Sequence, residues 1–182
     1  RAVNRALVLG ADHELNASTF AARVAASTGA DVHACITAAL ATLSGPRHGG
    51  AADRIEALLD EIGGPDEAID VVYERQRRGE GIEGFGHQLY PEGDPRGRAV
   101  IELAAELAPD DPGMLKCRAV VKGMEESGQG EPTIDVGLVA LSLALQLPRG
   151  AASGFFAVSR CVGWVAHVIE QYEAGYVLRP RA

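Results

Sequence analysis

No alternation of apolar and polar residues persists along this sequence, and it contains no Asn-Gly or Asp-Gly hairpin signal. Apolar residues recur at helical spacing instead, cut at intervals by glycine and proline. Ile55, Leu58, Leu59 and Ile62 fall at i, i+3, i+4 and i+7, a clean amphipathic stripe, and Gly63-Gly64-Pro65 ends it. The pattern restricts the chain to an all-α fold. We expect helices ending near Gly10, capped by Asn16 or Ser18 and stopping at Gly29, and capped by Asp31. A further helix opens at Pro65, with acidic residues in its first turn and Arg75, Arg77 and Arg78 in its last, as the helix dipole favours. Others are expected through Val100, Leu103 and Leu107, and over about 113–126, 136–147 and 151–173. The last is apolar nearly all round, the pattern of a helix buried between others.

Residues 81–97 interrupt this scheme. Glycines crowd His87 on its N-terminal side, and Pro91 and Pro95 follow it, so the stretch reads as a loop. It presents His87 and Arg96 from backbone that a ligand can approach closely.

Net charge narrows the partners. With 25 acidic residues against 17 basic, a charge of −8 argues against nucleic acid or an anionic membrane through this region. No apolar run is expected to reach the roughly 20 residues that span a bilayer, and no signal peptide is visible, so a cytoplasmic location is expected. Cys35, Cys117 and Cys161 lie in apolar helical patterns and read as buried small hydrophobes. No spacing of cysteine or histidine suggests a metal. The chain opens at Arg1 as if inside a helix, and we expect a fragment of a longer protein.

Four positions carry chemistry: His48 in Arg-His-Gly-Gly, His87 in Gly-Phe-Gly-His, Asp135 after Pro-Thr-Ile, and Arg160 in Val-Ser-Arg. Singly each has an ordinary reading. A histidine in a turn is more often solvated, Asp135 alone reads first as a helix N-cap, and His167 reads as a satisfied core histidine. Together they can run acid–base chemistry on carbon. A carboxylate takes a proton beside a carbonyl, a neutral histidine donates to the oxygen as it becomes enol-like, and a second histidine polarises the electrophile. Arg96, Arg160 and Arg179 would hold a substrate carrying several carboxylates.

The segments Ala-Asp-His-Glu-Leu-Asn-Ala-Ser-Thr, Ser-Gly-Pro-Arg-His-Gly-Gly-Ala, Gly-Phe-Gly-His-Gln-Leu-Tyr-Pro-Glu-Gly-Asp-Pro-Arg and Phe-Phe-Ala-Val-Ser-Arg-Cys-Val-Gly-Trp-Val-Ala-His, with the terminal Arg-Pro-Arg, resemble the citrate synthase family. Their order and spacing agree along the whole chain, which covers about the C-terminal half of the family's pattern. The resemblance extends to the divergent bacterial and 2-methylcitrate synthase-like members. It implies an all-α two-domain helical fold with the N-terminal part of the large domain absent from this chain. Residues 1–49 and 149–182 would be large-domain segments, and 50–148 a small, mobile domain on the CoA side. It implies a homodimer condensing oxaloacetate with acetyl-CoA to citrate and CoA, the acyl transfer that feeds the tricarboxylic acid cycle.

By the same resemblance Asp135 is the base, His48 stabilises the enol, and His87 donates to the oxaloacetate carbonyl. His13, Arg96 and Arg160 bind oxaloacetate or citrate, Arg179 reaches the partner subunit's site, and Glu83, Gly84, Phe85 and Gly86 lie along CoA. No metal or prosthetic group is implied, and the CoA thioester is a co-substrate. Two positions depart from the pattern: Pro-Thr-Ile-Asp-Val stands where the family often has Pro-Asn-Val-Asp-Phe, and Ala52 where it often has asparagine. The alternatives are 2-methylcitrate synthesis from propionyl-CoA, or a non-catalytic module that binds a di- or tricarboxylate.

Overall fold

The computed structural model describes residues 1–179; Pro180, Arg181 and Ala182 lie outside the described residues, and with them the last two positions of Arg-Pro-Arg. The described residues form α1 (Ala2–Leu9), α2 (Ala17–Ser27), α3 (Val32–Leu43), α4 (Ala51–Glu61), α5 (Pro65–Arg77), α6 (Pro95–Leu107), α7 (Pro112–Glu126), α8 (Ile134–Ala144) and α9 (Ala151–Ala174). Among them the only β pairings are two isolated bridges, Phe85 with Pro132 and His87 with Tyr90. The fold is all-α, as the periodicity predicts.

Helix starts follow the sequence closely where a side chain caps them. Asn16 Oδ1 accepts from the Thr19 N–H at 3.0 Å, Asp31 from Ala34 at 3.0 Å and Asp111 from Met114 at 2.9 Å. Each such cap is worth about 1 kcal/mol. Two starts differ from expectation. Pro95 occupies the first turn of α6 behind the Asp94 cap, so Arg96 and Gly97 are helical and the loop ends at residue 94. Helix α8 begins at Ile134, because Thr133 takes the cap position, and ends at Ala144; both ends come earlier than the apolar run suggests.

The chain divides into two compact units. Unit 1 comprises residues 1–6 and 51–155; unit 2 comprises residues 7–50 and the chain from Phe156 onward. The second crossing falls later than the expected 148/149 boundary. The start of α9 is tied into unit 1 by the Gly150 N–H on Glu56 Oε2 at 2.9 Å and by Ser153 Oγ on Asp53 at 2.8 Å.

In unit 1, α6 packs on α8 and α5 on α7, with α4 against α8. Val72, Val100, Ala104, Met114, Val139, Ala140 and Leu141 are fully buried there. The α6–α8 contact is close because residue 97 has no side chain. A Cβ on Gly97 would fall 2.4 Å from the Pro132 carbonyl oxygen and 2.5 Å from that of Thr133. Lys116 Nζ donates to the carbonyls of Leu59 and Ile62 at 2.9 and 3.0 Å, closing the end of α4.

In unit 2, α2 and α3 pack through Ala22, Ala26, Cys35 and Ala39, with Trp164 and Val168 of α9 completing the cluster. Small residues let these helices approach, and the indole fills the remaining volume. Contrary to expectation, α9 is long and apolar enough to cross a bilayer by length and composition, 24 residues with a mean hydropathy of 1.3 over its most apolar window. Ser159, Arg160 and Gln171 on this helix are buried, while only about a third of its most apolar window is. It is also not covered all round: Val158, Val162 and Ile169 are 61, 67 and 49% exposed. Cys35 and Cys117 are buried, and burial pushes the Cys117 thiol up to about 12; Cys161 is only partly covered.

Candidate active site

The site residues fall into two sets, one on each unit. Unit 1 carries Glu83–His87, Arg96 and Asp135. The glycine-rich loop is tied to the segment leading into α8: Gly86 N–H donates to Glu131 O at 2.9 Å, and Thr133 N–H to Gly84 O at 2.8 Å. Gly84 and Gly86 take φ of +86 and +72°, values that a side chain resists. The loop backbone is thereby fixed beside the start of α8. Glu83 is drawn to Arg54 of α4, with Nε and Oε1 3.4 Å apart. His87 Nδ1 accepts from the Leu89 N–H at 3.1 Å, which leaves the neutral ring's proton on Nε2. Its ring centroid lies 5.5 Å from that of Tyr90, and the Arg96 guanidinium carbon lies 5.2 Å from the Tyr90 ring centre.

Asp135 is not the cap of α8. It lies in the first turn, and the Thr133 hydroxyl, which makes no capping bond of its own, donates to Asp135 Oδ2 at 3.2 Å. Burial raises the Asp135 carboxyl above its usual value; the Thr133 hydroxyl, its own backbone N–H and the Arg96 charge work against that, and Asp94 adds to it. The result is a desolvated carboxylate, which is a stronger base than one in water.

Asp94, 2% exposed, is the residue that sequence reasoning missed. Its Oδ1 accepts from Arg96 N–H at 3.0 Å and Nε at 2.9 Å. Its Oδ2 accepts from Arg96 Nη2 at 2.8 Å and from the Ile134 N–H at 3.0 Å. Burial tends to raise this carboxyl, but the Arg96 hydrogen bonds and charge, with the Arg96 and Ile134 amides, hold it below the usual carboxylate value. One side chain therefore fixes both the guanidinium of Arg96 and the helix turn that carries Asp135. The signal was present as an Asp two residues before an Arg across a proline.

Unit 2 carries His13, His48, Arg160 and Arg179. His48, half-buried at the end of the turn after α3, has Nε2 2.8 Å from Ser18 Oγ, and that hydroxyl reaches Asn16 Oδ1 at 2.9 Å. Asn16 and Ser18 were legible as capping residues; their second use, holding a histidine ring, was not. Burial and then the Arg160 charge push the His48 imidazole below its ordinary value, so it is neutral at pH 7. Arg160, 2% exposed, lies with its guanidinium carbon 5.2 Å from the Phe156 ring centre. Arg179 is exposed at the end of a tail that is held to unit 2 by Leu178 N–H on Ser27 Oγ at 3.0 Å. No group of three or more His, Cys, Asp or Glu side chains suited to a metal occurs among the described residues.

A family profile described as citrate synthase, C-terminal domain, matches residues 1–181. Citrate synthase 2 of Bacillus subtilis is 39% identical over all of this chain and 50% of its own length. The 2-methylcitrate synthase of Shewanella oneidensis is 36% identical over 97% of this chain and 48% of its own. The ternary complex of the Thermoplasma acidophilum citrate synthase with carboxymethyl coenzyme A and oxaloacetate superimposes with a TM-score of 0.88 at 35% identity, over all of this chain and 50% of that one. The chain thus spans about half the length of the curated relatives it matches.

Proposed function

We propose that this chain, which belongs to the citrate synthase family, supplies the reacting groups for condensing acetyl-CoA with oxaloacetate to citrate and CoA. The observation that carries the reading is Asp135: a desolvated carboxylate held by Thr133 in a helix turn, tied through Thr133 to the glycine loop of residues 84–86. In this reading the carboxylate takes a proton from the thioester methyl group. The Ser18 hydroxyl has one proton and two acceptors, Asn16 Oδ1 and His48 Nε2. In the structure that proton is donated to Asn16 Oδ1; when the hydroxyl turns to donate to His48 instead, the neutral ring carries its own proton on Nδ1 and can donate to the forming enol oxygen. The enol carbon attacks the keto carbon of oxaloacetate, and His87 Nε2–H donates to the oxygen that becomes the alcohol. Water then cleaves the thioester, releasing CoA as a thiol. His13, Arg96 and Arg160 bind the carboxylates. Arg179 acts from the partner of a homodimer, and the exposed Val158, Val162 and Ile169 face of α9 is compatible with a subunit contact.

The test is thiol release by the full-length protein with oxaloacetate and acetyl-CoA, which should depend on both substrates. Citrate binding by calorimetry with no thiol release from any acyl-CoA would replace the enzyme reading with a carboxylate-binding module. A second reading, 2-methylcitrate synthesis from propionyl-CoA, is favoured by the Shewanella relative. One methylene in an acyl pocket discriminates by only about 1–3 kcal/mol, so the two thioesters should be assayed side by side.

Thr133 provides a sharper test of the base. Thr133→Val keeps the volume and removes the hydroxyl that lowers the Asp135 carboxyl. The acid limb of the kcat/KM profile should move to higher pH, with activity recovering on the alkaline side, and Thr133→Ser should restore the wild-type profile. An unmoved limb would mean that the hydroxyl does not act on the base.

A further inference from the structure

We propose that His167 is a positioning residue for the loop that presents His13. The inference rests on the reading of His13 as a substrate-binding residue and adds what holds it. His167 lies on α9, seven residues beyond Arg160, and its ring joins two other segments of unit 2. Its Nδ1 lies 3.2 Å from Arg23 Nη1 on α2, and its Nε2 lies 3.2 Å from Asp12 Oδ1 in the turn after α1. A guanidinium has no acceptor, so Nδ1 must offer its lone pair, and the neutral ring's proton is then on Nε2, directed at the Asp12 carboxylate. Arg23 is itself held in place: Nη1 donates to Glu170 Oε2 at 2.8 Å and Nε to Gln171 Oε1 at 3.2 Å. Gln171, 1% exposed, donates onward to the Tyr176 carbonyl at 3.1 Å. The ring is therefore the last link of a network anchored in buried structure, and Asp12 is what it carries.

Two further observations indicate that the loop needs such an anchor. A Cβ on Gly163 would fall 2.2 Å from the Ala11 carbonyl oxygen, so the backbone before Asp12 lies directly on α9, one turn from Arg160. Glu14, which follows His13, has φ of +54°, a left-handed conformation that a non-glycine residue holds only when its surroundings impose it. Here both sides of the strained residue are fixed, Asp12 by His167 and Asn16 by capping α2. Releasing the first lets residues 12–14 relax and moves His13 relative to Arg160 within the same unit.

The test uses the full-length protein and four variants: His167→Ala, His167→Gln, Asp12→Asn and His167→Ala/Asp12→Asn. His167→Ala should raise the KM for oxaloacetate about tenfold, the size of one lost hydrogen bond to a charged group, and leave the KM for the acyl-CoA unchanged. Glutamine, which keeps a donor and an acceptor, should return it to within about twofold of wild type. Asp12→Asn alters an exposed side chain and should raise the same constant, and the double variant should add nothing further. Two readouts do not need turnover. In side-chain 15N spectra the neutral His167 ring should carry its proton on Nε2, and amides of residues 11–15 should exchange faster in His167→Ala. A ring protonated on Nδ1, unchanged exchange with an unchanged oxaloacetate KM, or fully additive single effects would overturn the proposal. Wild-type protein without thiol release, but with the expected tautomer and exchange response, would instead remove the enzyme reading and leave the anchor standing.

Discussion

Asp135→Asn should lower kcat by about 10²–10⁴-fold, the usual contribution of a positioned general base, and at the same time raise the melting temperature at neutral pH. The two effects have one cause. In the folded protein burial raises the Asp135 carboxyl above its value in the unfolded chain, so ionising it costs more in the native state than in water. A group raised in this way contributes stability below its unfolded pKa and loses that contribution as pH rises through the folded value. At neutral pH, above its unfolded value, this buried carboxyl therefore makes an unfavourable contribution to the native state. Opposing this, a carboxylate in the first turn of a helix gains about 0.3–1 kcal/mol from the helix dipole, and the Thr133 hydroxyl adds a hydrogen bond at 3.2 Å. The balance nevertheless lies on the side of desolvation. An asparagine keeps the shape and can still accept from Thr133, but has no charge to bury. The variant should melt above wild type at pH 7.5 and level with it near pH 4, with oxaloacetate affinity nearly unchanged. An undiminished kcat would reduce Asp135 to a helix-turn residue.

The sequence disclosed these elements unevenly, for physical reasons. Helix α4 was legible because its apolar stripe is narrow and glycine and proline bound it. The start of α6 was obscured because the glycines of residues 81–93 suggested a loop to residue 97, although Asp94-Pro95 is an N-cap followed by a proline in the first helical turn. The start of helix α8 is obscured for the converse reason. A continuous apolar run has no periodicity from which to read its first turn, and Asp135 looked like the cap that Thr133 turns out to occupy. The apolar surround of α9 suggested burial on all sides, but sequence cannot say which neighbours are present, and Val158 and Val162 are exposed. Among the candidate site residues, those with chemistry of their own stand out in the sequence: His48, His87, Arg96, Arg160. Those that act by holding another residue do not. Ser18 and Asn16 resemble ordinary caps until His48 is seen 2.8 Å away, and Asp94 resembles a turn residue until its four hydrogen bonds are drawn.

Asp94→Asn should be the most destabilising single change of similar size in the site, by about 3–5 kcal/mol, the cost of leaving one partner of a buried ion pair alone. The carboxylate receives four donors, two on each oxygen. An asparagine offers only one oxygen, and its amide group would point two donors at two more. Either Arg96 loses its paired hydrogen bonds or the Ile134 N–H is left buried without an acceptor. Only 9% of Arg96 is exposed, so water cannot replace what is lost. Against a typical domain stability of about 5–15 kcal/mol this is a large fraction, and with a urea slope of about 1–3 kcal/mol/M it moves the midpoint by roughly 2 M. Activity should fall as well, because the same substitution frees the turn that holds Asp135. The pH dependence identifies the cause. Asp94 is held below its unfolded value in the native state, so its contribution is present above that value, near pH 4, and is lost as pH falls through the folded one. The gap between wild type and variant should be constant from pH 5 to 8, within about 0.5 kcal/mol, and narrow in more acid solution. A gap that stays the same down to pH 2.5, or a midpoint unmoved at pH 7, would show that the Asp94–Arg96 pair does not hold α6 to α8.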